Sequence, residues 1–246
     1  MKLEICCYSI DDILTAYHNG ADRIEFCSGR SDGGLTPSYG DLLQLSELNL
    51  PIAIHPIVRP RGGDFCYSQF EINSMRHDIK LIKQLNFVGV VFGCLQTDGS
   101  IDLDNMEKLM NAAKGLSVTF HRAFDVCHQP LKAIQQINEL GIDRLLTSGQ
   151  QANALMGIEL IEQLKNKSKS TIIMPGCGIR SDNLAPFIQL GLNEFHSSAT
   201  QVVPSLMQHQ NHFVNMSQTA NNEFLRYCVN PDEIKKMKKI LPSVHN

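Results

Sequence analysis

Tryptophan is absent from this sequence of 246 residues, and Phe, Trp and Tyr together make up only 7% of it. An excess of positive charge is also absent, because 22 Lys and Arg face 25 Asp and Glu, for a formal net charge of −3. Proteins that bind nucleic acid or anionic membrane surfaces typically carry a basic patch, often with aromatic side chains that stack on bases. These absences argue against nucleic acid and membranes as partners.

Long apolar runs are also lacking. No stretch approaches the roughly 18 apolar residues of a membrane-spanning helix. Glu4 interrupts the first apolar run, so the start of the chain lacks the continuous apolar segment of a secretory signal peptide. The eight cysteines are too few for a disulfide scaffold in a chain of this length, and we expect reduced thiols. We therefore expect a cytoplasmic protein.

Familiar cofactor and metal motifs are missing as well. The sequence contains no C-x-x-C and no H-E-x-x-H. A dinucleotide-binding fold places a glycine-rich turn after its first strand, but the corresponding turn here is C-C-Y-S. These observations exclude the commonest zinc motifs and disfavour a Rossmann fold, and we expect no organic cofactor.

Alternation of short β-rich runs with amphipathic stretches of helical length extends from the first residue to about residue 200. Strands are predicted over residues 3–7, 23–27, 52–58, 87–92, 116–121, 142–147, 171–174 and 193–196. Helices are predicted between them, including one over 152–165 and one over 181–190. Eight such units favour an α/β fold, a single (β/α)8 TIM-type barrel over residues 1–200, rather than an open doubly wound sheet.

The composition changes after residue 200, where Gln, Asn, His and Met become frequent. The pattern predicts a loop over 201–230 followed by a basic helix over 234–241, which Pro231 and two acidic residues introduce. Residues 201–246 are expected to pack on the barrel as part of the same domain. Within this loop, a soft metal could bind Met207, His209, His212 and Met216, although a polar loop without metal is the simpler interpretation.

Ionisable groups cluster in V-T-F-H-R-A-F-D at 118–125, which is predicted as a buried strand that ends at His121, Arg122 and Asp125. Barrel enzymes build their sites at the carboxyl ends of the strands. The alternative is a satisfied core histidine beside a surface ion pair. Acidic and imidazole groups also occur in or directly after strands one, two and eight. The acid–base candidates are Glu4, Glu25, His121, Arg122, Asp125 and His196.

A second set of residues has the character of an anion site. Gly176-Cys177-Gly178 follows strand seven and Ser197-Ser198 follows strand eight, where barrels often bind phosphate through backbone N–H groups. Two glycines alone are weak evidence, since tight turns also need them. The candidate anion-binding residues are Arg23, Arg59, Arg61, Asp64, Ser148, Gly149, Gly176, Gly178 and Ser198.

The candidate metal ligands are Cys6 and Cys27, because each lies on a predicted strand and the two strands are neighbours. Two thiolates suit Cu(I), whereas Zn²⁺ would need a further Cys or His. The competing interpretation is that each is a small buried apolar residue.

Eight stretches resemble the CutC family of copper homeostasis proteins, and they run in the family's order from residue 3 to about residue 200. They are L-E-I-C (3–6), G-A-D-R-I-E-F-C-S-G (20–29), G-G-L-T-P-S (33–38), R-P-R-G-G-D-F-C-Y-S (59–68), V-T-F-H-R-A-F-D (118–125), L-L-T-S-G (145–149), M-P-G-C-G-I (174–179) and E-F-H-S-S-A (194–199). The resemblance implies a cytoplasmic barrel, a homodimer or larger homo-oligomer, and a role in copper handling. Cys6 and Cys27 match the thiols suggested for Cu(I). Cys177 departs from the pattern, since glycine is usual there.

Three functions remain open at this point. The first is copper homeostasis, with Cu(I) bound by cysteine thiolates. The second is an enzyme that acts by acid–base chemistry on a small anionic metabolite, phosphorylated or sugar-like, because a soft-metal site has no use for the arginine-rich third loop. The third is a structural oligomer whose polar cleft has no remaining role.

Overall fold

The computed structural model describes residues 1–211, 213–214 and 224–241. Eight strands alternate with seven helices up to residue 197. The strands are β1 Lys2–Cys7, β2 Arg23–Phe26, β3 Ala53–Pro56, β4 Gly89–Phe92, β5 Ser117–Phe120, β6 Arg144–Thr147, β7 Ile172–Pro175 and β8 Glu194–Ser197. The helices are α1 Ile10–His18, α2 Tyr39–Glu47, α3 Gln69–Gln84, α4 Leu103–Ala112, α5 Pro130–Glu139, α6 Ile158–Lys167 and α7 Leu184–Gln189.

The strands are parallel and follow the order β3-β2-β1-β8 in one half and β4-β5-β6-β7 in the other. A parallel bridge between Ile57 and Val91 connects the halves beyond the ends of β3 and β4, and β7 lies beside β8. The fold is the predicted (β/α)8 TIM-type barrel. Each of the eight predicted strands is present within three residues of its expected ends.

Strand alternation separates an apolar layer from a polar interior. Leu3, Ile5 and Ile24 belong to the large apolar cluster that joins the barrel to its helices. Glu4, between Leu3 and Ile5 on β1, and Glu25, next to Ile24 on β2, are also buried but face the barrel interior with the other charged groups. Because successive side chains of a strand point to opposite faces, a two-residue period in the sequence becomes an apolar shell around a charged centre.

Helix α6 begins at Ile158, so the predicted start at residue 152 was wrong. Gly149 and Gln150 both have positive φ, at 66° and 58°. The side chain of Asn153 accepts a hydrogen bond from the Met156 N–H at 3.0 Å. These turns use backbone groups that a helix would need, which the apolar spacing of the segment does not reveal.

The prediction of a loop without regular structure from residue 201 was partly wrong. Strand β9, Thr200–Pro204, pairs antiparallel with strand β10, Leu225–Val229. The pairing partner lies more than twenty residues away along the chain, so no local turn signal marked the pair. Helix α8, Pro231–Ile240, follows β10 and begins three residues earlier than predicted. The exposed side chains of Met207 and His209 lie in the intervening loop, whereas His212 and Met216 are outside the described residues.

Candidate functional site

A cavity of about 400 Å³ opens at the carboxyl ends of the barrel strands. Residues on or just after β1, β2 and β8 form one part of its wall, and Leu146 on β6 with the loops after β3, β5 and β7 forms the rest. Its lining residues are Cys6, Tyr8, Glu25, Asp32, Gly33, Ile57, Arg59, Phe65, His121, Arg122, Asp125, Val126, Leu146, Cys177, Gly178, His196 and Ser198. The sequence placed a site at this end of the barrel, and most of the predicted residues converge there.

Two cysteine thiols meet at the Cys6 side of this wall. The parallel register pairs Cys6 on β1 with Glu25 on β2, which brings Cys27, just beyond β2, beside Cys6. The two Sγ atoms are 3.8 Å apart, and the Cys27 Sγ is 3.6 Å from Glu25 Oε2. Both cysteines are buried. Adjacent strands therefore supply a sulfur pair, of which Cys6 lines the cavity and Cys27 does not.

His196 completes this group from the other side of β1. Its Nδ1 is 2.7 Å from Glu4 Oε1, and its Nε2 is 3.6 Å from Glu25 Oε2. One ligand atom each from Cys6, Glu25 and His196 lies within 4.8 Å of the other two. The Glu4 contact fixes the orientation of the imidazole, so that Nε2 faces the carboxyl group of Glu25.

Burial and hydrogen bonding shift the pKa values of this group in different directions. The hydrogen bond from Cys27, assisted by His196, holds the pKa of Cys6 well below its usual range. Burial raises the pKa of Cys27 and also that of the Glu25 carboxyl. Burial alone would lower the pKa of His196, but the acidic groups of Glu25, Cys6 and Glu4 raise it. Cys6 therefore loses its proton more readily than Cys27, and His196 holds its proton more strongly than an ordinary histidine.

A chain of buried ion pairs lies beneath the cavity. Arg23 donates to Glu4 through Nε and to Glu194 Oε2 at 2.6 Å, and Arg144 donates to the same Glu194 oxygen at 2.8 Å. Although burial acts in the opposite direction, the Arg23 charge lowers the pKa of Glu4 far below its ordinary value. Arg23, predicted as an anion-binding residue, therefore neutralises carboxylates inside the barrel and does not line the cavity.

His121 lines the cavity from the end of β5 and has one unused hydrogen-bonding atom. Its Nδ1 accepts a hydrogen bond from the Ala123 N–H at 3.2 Å, and its ring lies 4.9 Å from that of Phe65. Burial, together with the Arg59 charge, lowers the pKa of His121 to about 3. The imidazole is therefore neutral, with its proton on Nε2, and this buried atom has no partner among the described residues.

Asp125 organises the loops after β5 and β6. Its carboxylate accepts hydrogen bonds from Thr147 Oγ1 at 2.5 Å, from the Ser148 N–H and Oγ at 3.0 Å, and from Arg122 Nε at 2.6 Å. Ser148 and the adjacent Gly149 stand behind this carboxylate and do not line the cavity. Arg122 does line it, with 44% of its side chain exposed.

The arginines of the third loop hold that loop together. Arg59 donates to the carbonyl oxygens of Asp32, Gly34 and Gly63, and its guanidinium lies 4.7 Å from the Phe65 ring centre. Only its Nε is without a partner among the described residues. Arg61 pairs with Glu71 at 2.6 Å and with Asp64 at 3.0 Å, and neither Arg61 nor Asp64 lines the cavity.

The loops after β7 and β8 close the remaining side. Cys177 and Gly178 both have positive φ, at 73° and 78°, and line the cavity with Ser198. Gly176 packs against Leu146, where an added Cβ would collide with that side chain. Cys177 Sγ donates to the Ala152 carbonyl at 3.2 Å and does not join the other two thiols.

Among the cavity residues that escaped the sequence analysis are two aromatic ones, Tyr8 and Phe65. Tyr8 follows Glu4 and Cys6 at the two-residue spacing of β1, so the strand period could have identified it. The Arg30 guanidinium lies 4.2 Å from the centre of its ring. Phe65 lies in an irregular loop, and no periodicity could have placed it against His121.

Comparisons with known proteins agree with this architecture. The model of the CutC family matches residues 1–201. A CutC family protein of Serratia proteamaculans is 46% identical over 245 residues, which cover 99% of this chain and 97% of the relative. One from Proteus mirabilis is 48% identical over 241 residues, with 98% and 96% coverage.

Solved structures give the same result. A protein described as copper homeostasis protein CutC of Streptococcus agalactiae has a TM-score of 0.76 at 30% identity, and the match covers 80% of this chain and 98% of that one. 3-Hexulose-6-phosphate synthase of Salmonella typhimurium has a TM-score of 0.63 at 15% identity over 98% of each chain, which shows a shared fold. Among the residues that the structure describes, no helix has the length and apolar character needed to cross a bilayer.

Proposed function

Because the chain belongs to the CutC family, we propose that it serves copper homeostasis by binding Cu(I) between Cys6 and Cys27, with His196 as a third ligand. The observation that carries this proposal is the 3.8 Å separation of the two Sγ atoms beside the His196 imidazole. Soft thiolate ligands select Cu(I), and imidazole also binds copper. Copper is the cargo in this proposal.

The spacing of the sulfurs favours more than two ligands. With a metal–sulfur distance of roughly 2.3 Å, a separation of 3.8 Å corresponds to an S–metal–S angle of about 110°. Linear coordination by two sulfurs would need them further apart. Two sulfurs bound at such an angle leave one side of the ion open to a third ligand. The nitrogen of His196 lies within 4.8 Å of Cys6 Sγ and can fill that position.

The protonation states agree with this donor set. Cys6 already favours the thiolate, whereas Cys27 is held as a thiol by burial. A metal ion that binds both sulfurs must displace the Cys27 proton, and one that binds His196 must also displace the imidazolium proton. The buried carboxylate of Glu4 can then stabilise the ligand from its far side, as carboxylates do for metal-bound histidines.

The proposal includes a cytoplasmic location and a homodimer or larger homo-oligomer. All eight cysteines are free thiols, which supports the first, because a reducing compartment keeps thiols unpaired. The oligomer rests on the family resemblance alone.

The acid–base enzyme is the weaker alternative. Its acid and base would be Glu25 or Asp125 together with His121. Four donors from Thr147, Ser148 and Arg122 already surround the Asp125 carboxylate, and His121, with its pKa near 3, is a poor base at neutral pH. Burial raises the pKa of Glu25, as suits an acid–base group, but its carboxyl group lies 3.6 Å from Cys27 Sγ and from His196 Nε2, inside the proposed copper site.

The test is an anaerobic Cu(I) competition titration of the reduced protein against a chromophoric chelator of known affinity. We expect one equivalent to bind, with a loss of at least a hundredfold in affinity for Cys6→Ser, Cys27→Ser and the double variant. Cys66→Ser, which removes a thiol outside the cavity, is the matched control. X-ray absorption should show two sulfurs and one nitrogen, and the nitrogen should disappear in His196→Ala. An unchanged affinity in the double variant would disprove the site.

A further inference from the structure

We propose that the cavity holds a second site, for a small metabolite that carries a phosphate or carboxylate group. Its donors are His121 Nε2, the Arg122 guanidinium and the backbone N–H groups of Gly178 and Ser198. All four residues line the cavity. None of them belongs to the sulfur pair, so the proposal goes beyond the proposed function and stands whether or not copper binds.

The first observation is the unused donor of His121. Only 3% of the residue is exposed, and Nδ1 is occupied by the Ala123 N–H, so the proton must be on Nε2. A buried donor without an acceptor costs about 1–3 kcal/mol. Buried polar groups without partners are rare in folded proteins, and one on a side chain that lines a cavity is explained if a ligand supplies the acceptor.

The second observation is the state of Arg122. Its Nε donates to Asp125 at 2.6 Å and its Nη2 donates to Ser148 Oγ at 3.1 Å, which fixes the plane of the guanidinium. Its Nη1 donates to none of the residues that the structure describes, and the side chain is partly exposed at the cavity wall. A guanidinium held in place by two bonds, with donors left over, suits a carboxylate or phosphate oxygen.

The third observation concerns the loops after β7 and β8. No hydrogen bond within the described part of the chain uses the N–H groups of Cys177, Gly178 or Ser198. Cys177 and Gly178 are consecutive residues at positive φ, a conformation that costs a non-glycine residue such as Cys177 roughly 1–2 kcal/mol. Unpaired N–H groups in such a turn form a concave surface for anions, and barrels commonly bind phosphate at these two loops.

Size and charge fit a metabolite larger than the anion alone. The cavity of about 400 Å³ exceeds the volume of a phosphate group, so an organic portion would extend toward Glu25 and His196. Three carboxyl groups, those of Glu25, Asp32 and Asp125, also line the cavity. Asp125 is paired with Arg122 and with hydroxyl and N–H donors, and Glu25 lies beside Cys27 and His196. Asp32 is therefore the one cavity carboxylate whose side chain has only a hydroxyl partner among the described residues, Ser31 Oγ at 3.2 Å.

The test uses copper-free, reduced protein and two probes, inorganic phosphate and malonate, with chloride at matched ionic strength as the background. The readout is NMR of the His121 Nε2–H and of the Gly178 and Ser198 amides. We expect saturable shifts of these resonances with at least one probe, and the probe that binds more tightly identifies the anionic group. Shifts that match those in chloride, or that do not saturate, would overturn the proposal.

Variants test whether the probe binds through the named donors. Arg122→Gln and His121→Phe should each weaken binding at least tenfold, whereas Arg226→Gln, which removes an exposed charge from β10, should leave it unchanged. The double variant Cys6→Ser/Cys27→Ser should bind the probe as wild type does, so failure of the anion site is distinguishable from failure of the copper site. Wild-type binding by Arg122→Gln would overturn the proposal.

Discussion

At the scale of single residues, burial decides which ionisable groups carry charge. His121 and His55 are both buried, and burial lowers their pKa values to about 3 and about 4. His196 is equally buried, but the surrounding Glu25, Cys6 and Glu4 raise its pKa. Three histidines in one barrel therefore have different charges at neutral pH, because only one of them has anionic partners close enough to offset desolvation.

The neutral state of His121 predicts a pH-dependent contribution to stability. Its folded pKa of about 3 is below the ordinary value of 6.5, so the unfolded chain binds the extra proton first as the pH falls. The stability that the neutral imidazole provides is complete above pH 6.5 and is lost progressively from there down to about pH 3. Between pH 7 and pH 5, wild type should lose about 2 kcal/mol of unfolding free energy relative to His121→Phe.

Urea denaturation of both proteins at the two pH values measures this difference. The comparison with His121→Phe cancels the groups that titrate in both proteins, including Glu25, whose raised pKa acts with the opposite sign in part of this range. If the difference in unfolding free energy between wild type and His121→Phe does not change with pH, the folded protein protonates His121 as readily as the unfolded chain does, which contradicts the lowered pKa.

At the scale of elements, one buried side chain connects the start of the barrel to its last strands. Asp12 on α1 accepts a hydrogen bond from the Val229 N–H of β10 at 2.7 Å, and both residues are buried. Nearby, Lys238 on α8 pairs with Asp22 at 2.7 Å. These contacts join β10 and α8 to the first βα unit. That residues 201–246 belong to the same domain as the barrel stays a prediction.

Replacement of Asp12 should therefore loosen β10 and α8. We expect Asp12→Ala to reduce the free energy of unfolding by about 1–3 kcal/mol, because it leaves the Val229 N–H buried without an acceptor. Hydrogen exchange measured by mass spectrometry should increase over residues 225–241. Asp12→Asn retains an oxygen acceptor and should cost less. If Asp12→Ala and Asp12→Asn lower the free energy of unfolding equally, the hydrogen bond from the Val229 N–H is not the source of the stabilisation.

At the scale of the whole molecule, buried charges connect the two halves of the barrel. Glu194 on β8 accepts from Arg23 on β2 and from Arg144 on β6, so one carboxylate balances two guanidinium groups from opposite halves. Arg144 also donates to Ser117 Oγ at 2.6 Å. The centre of the barrel is thus a network in which each charge depends on its neighbours.

Removal of the shared carboxylate should be costly. Glu194→Gln leaves two buried guanidinium groups with one counter-charge fewer, and breaking a buried pair in this way typically costs about 3–5 kcal/mol. We expect a loss of this size in urea denaturation. The exposed Glu159→Gln, which makes the same chemical change at the start of α6, should alter stability by less than about 0.5 kcal/mol. A similar small effect for Glu194→Gln would mean that the network does not hold the halves together.

The sequence by itself determined the barrel and the end at which its site lies. Alternation of strand and helix periods predicted eight parallel units, and alternation within β1 and β2 placed Glu4, Cys6 and Glu25 on the interior face. These are local properties, because the period of a strand depends only on its backbone geometry. The same rule predicts that carboxyl-end loops converge, which is why most of the expected residues do line one cavity.

Only the tertiary structure decided which of those residues are free to act. Arg23, Arg61 and Asp125 have the right chemistry, but each is engaged by partners that lie elsewhere in the fold or in its own loop. His121 lines the cavity, its Nδ1 is occupied by the Ala123 N–H and its ring contacts Phe65, so Nε2 has no partner in the described part of the chain. Whether a polar group is occupied depends on contacts between distant segments, and no local period in a sequence records them.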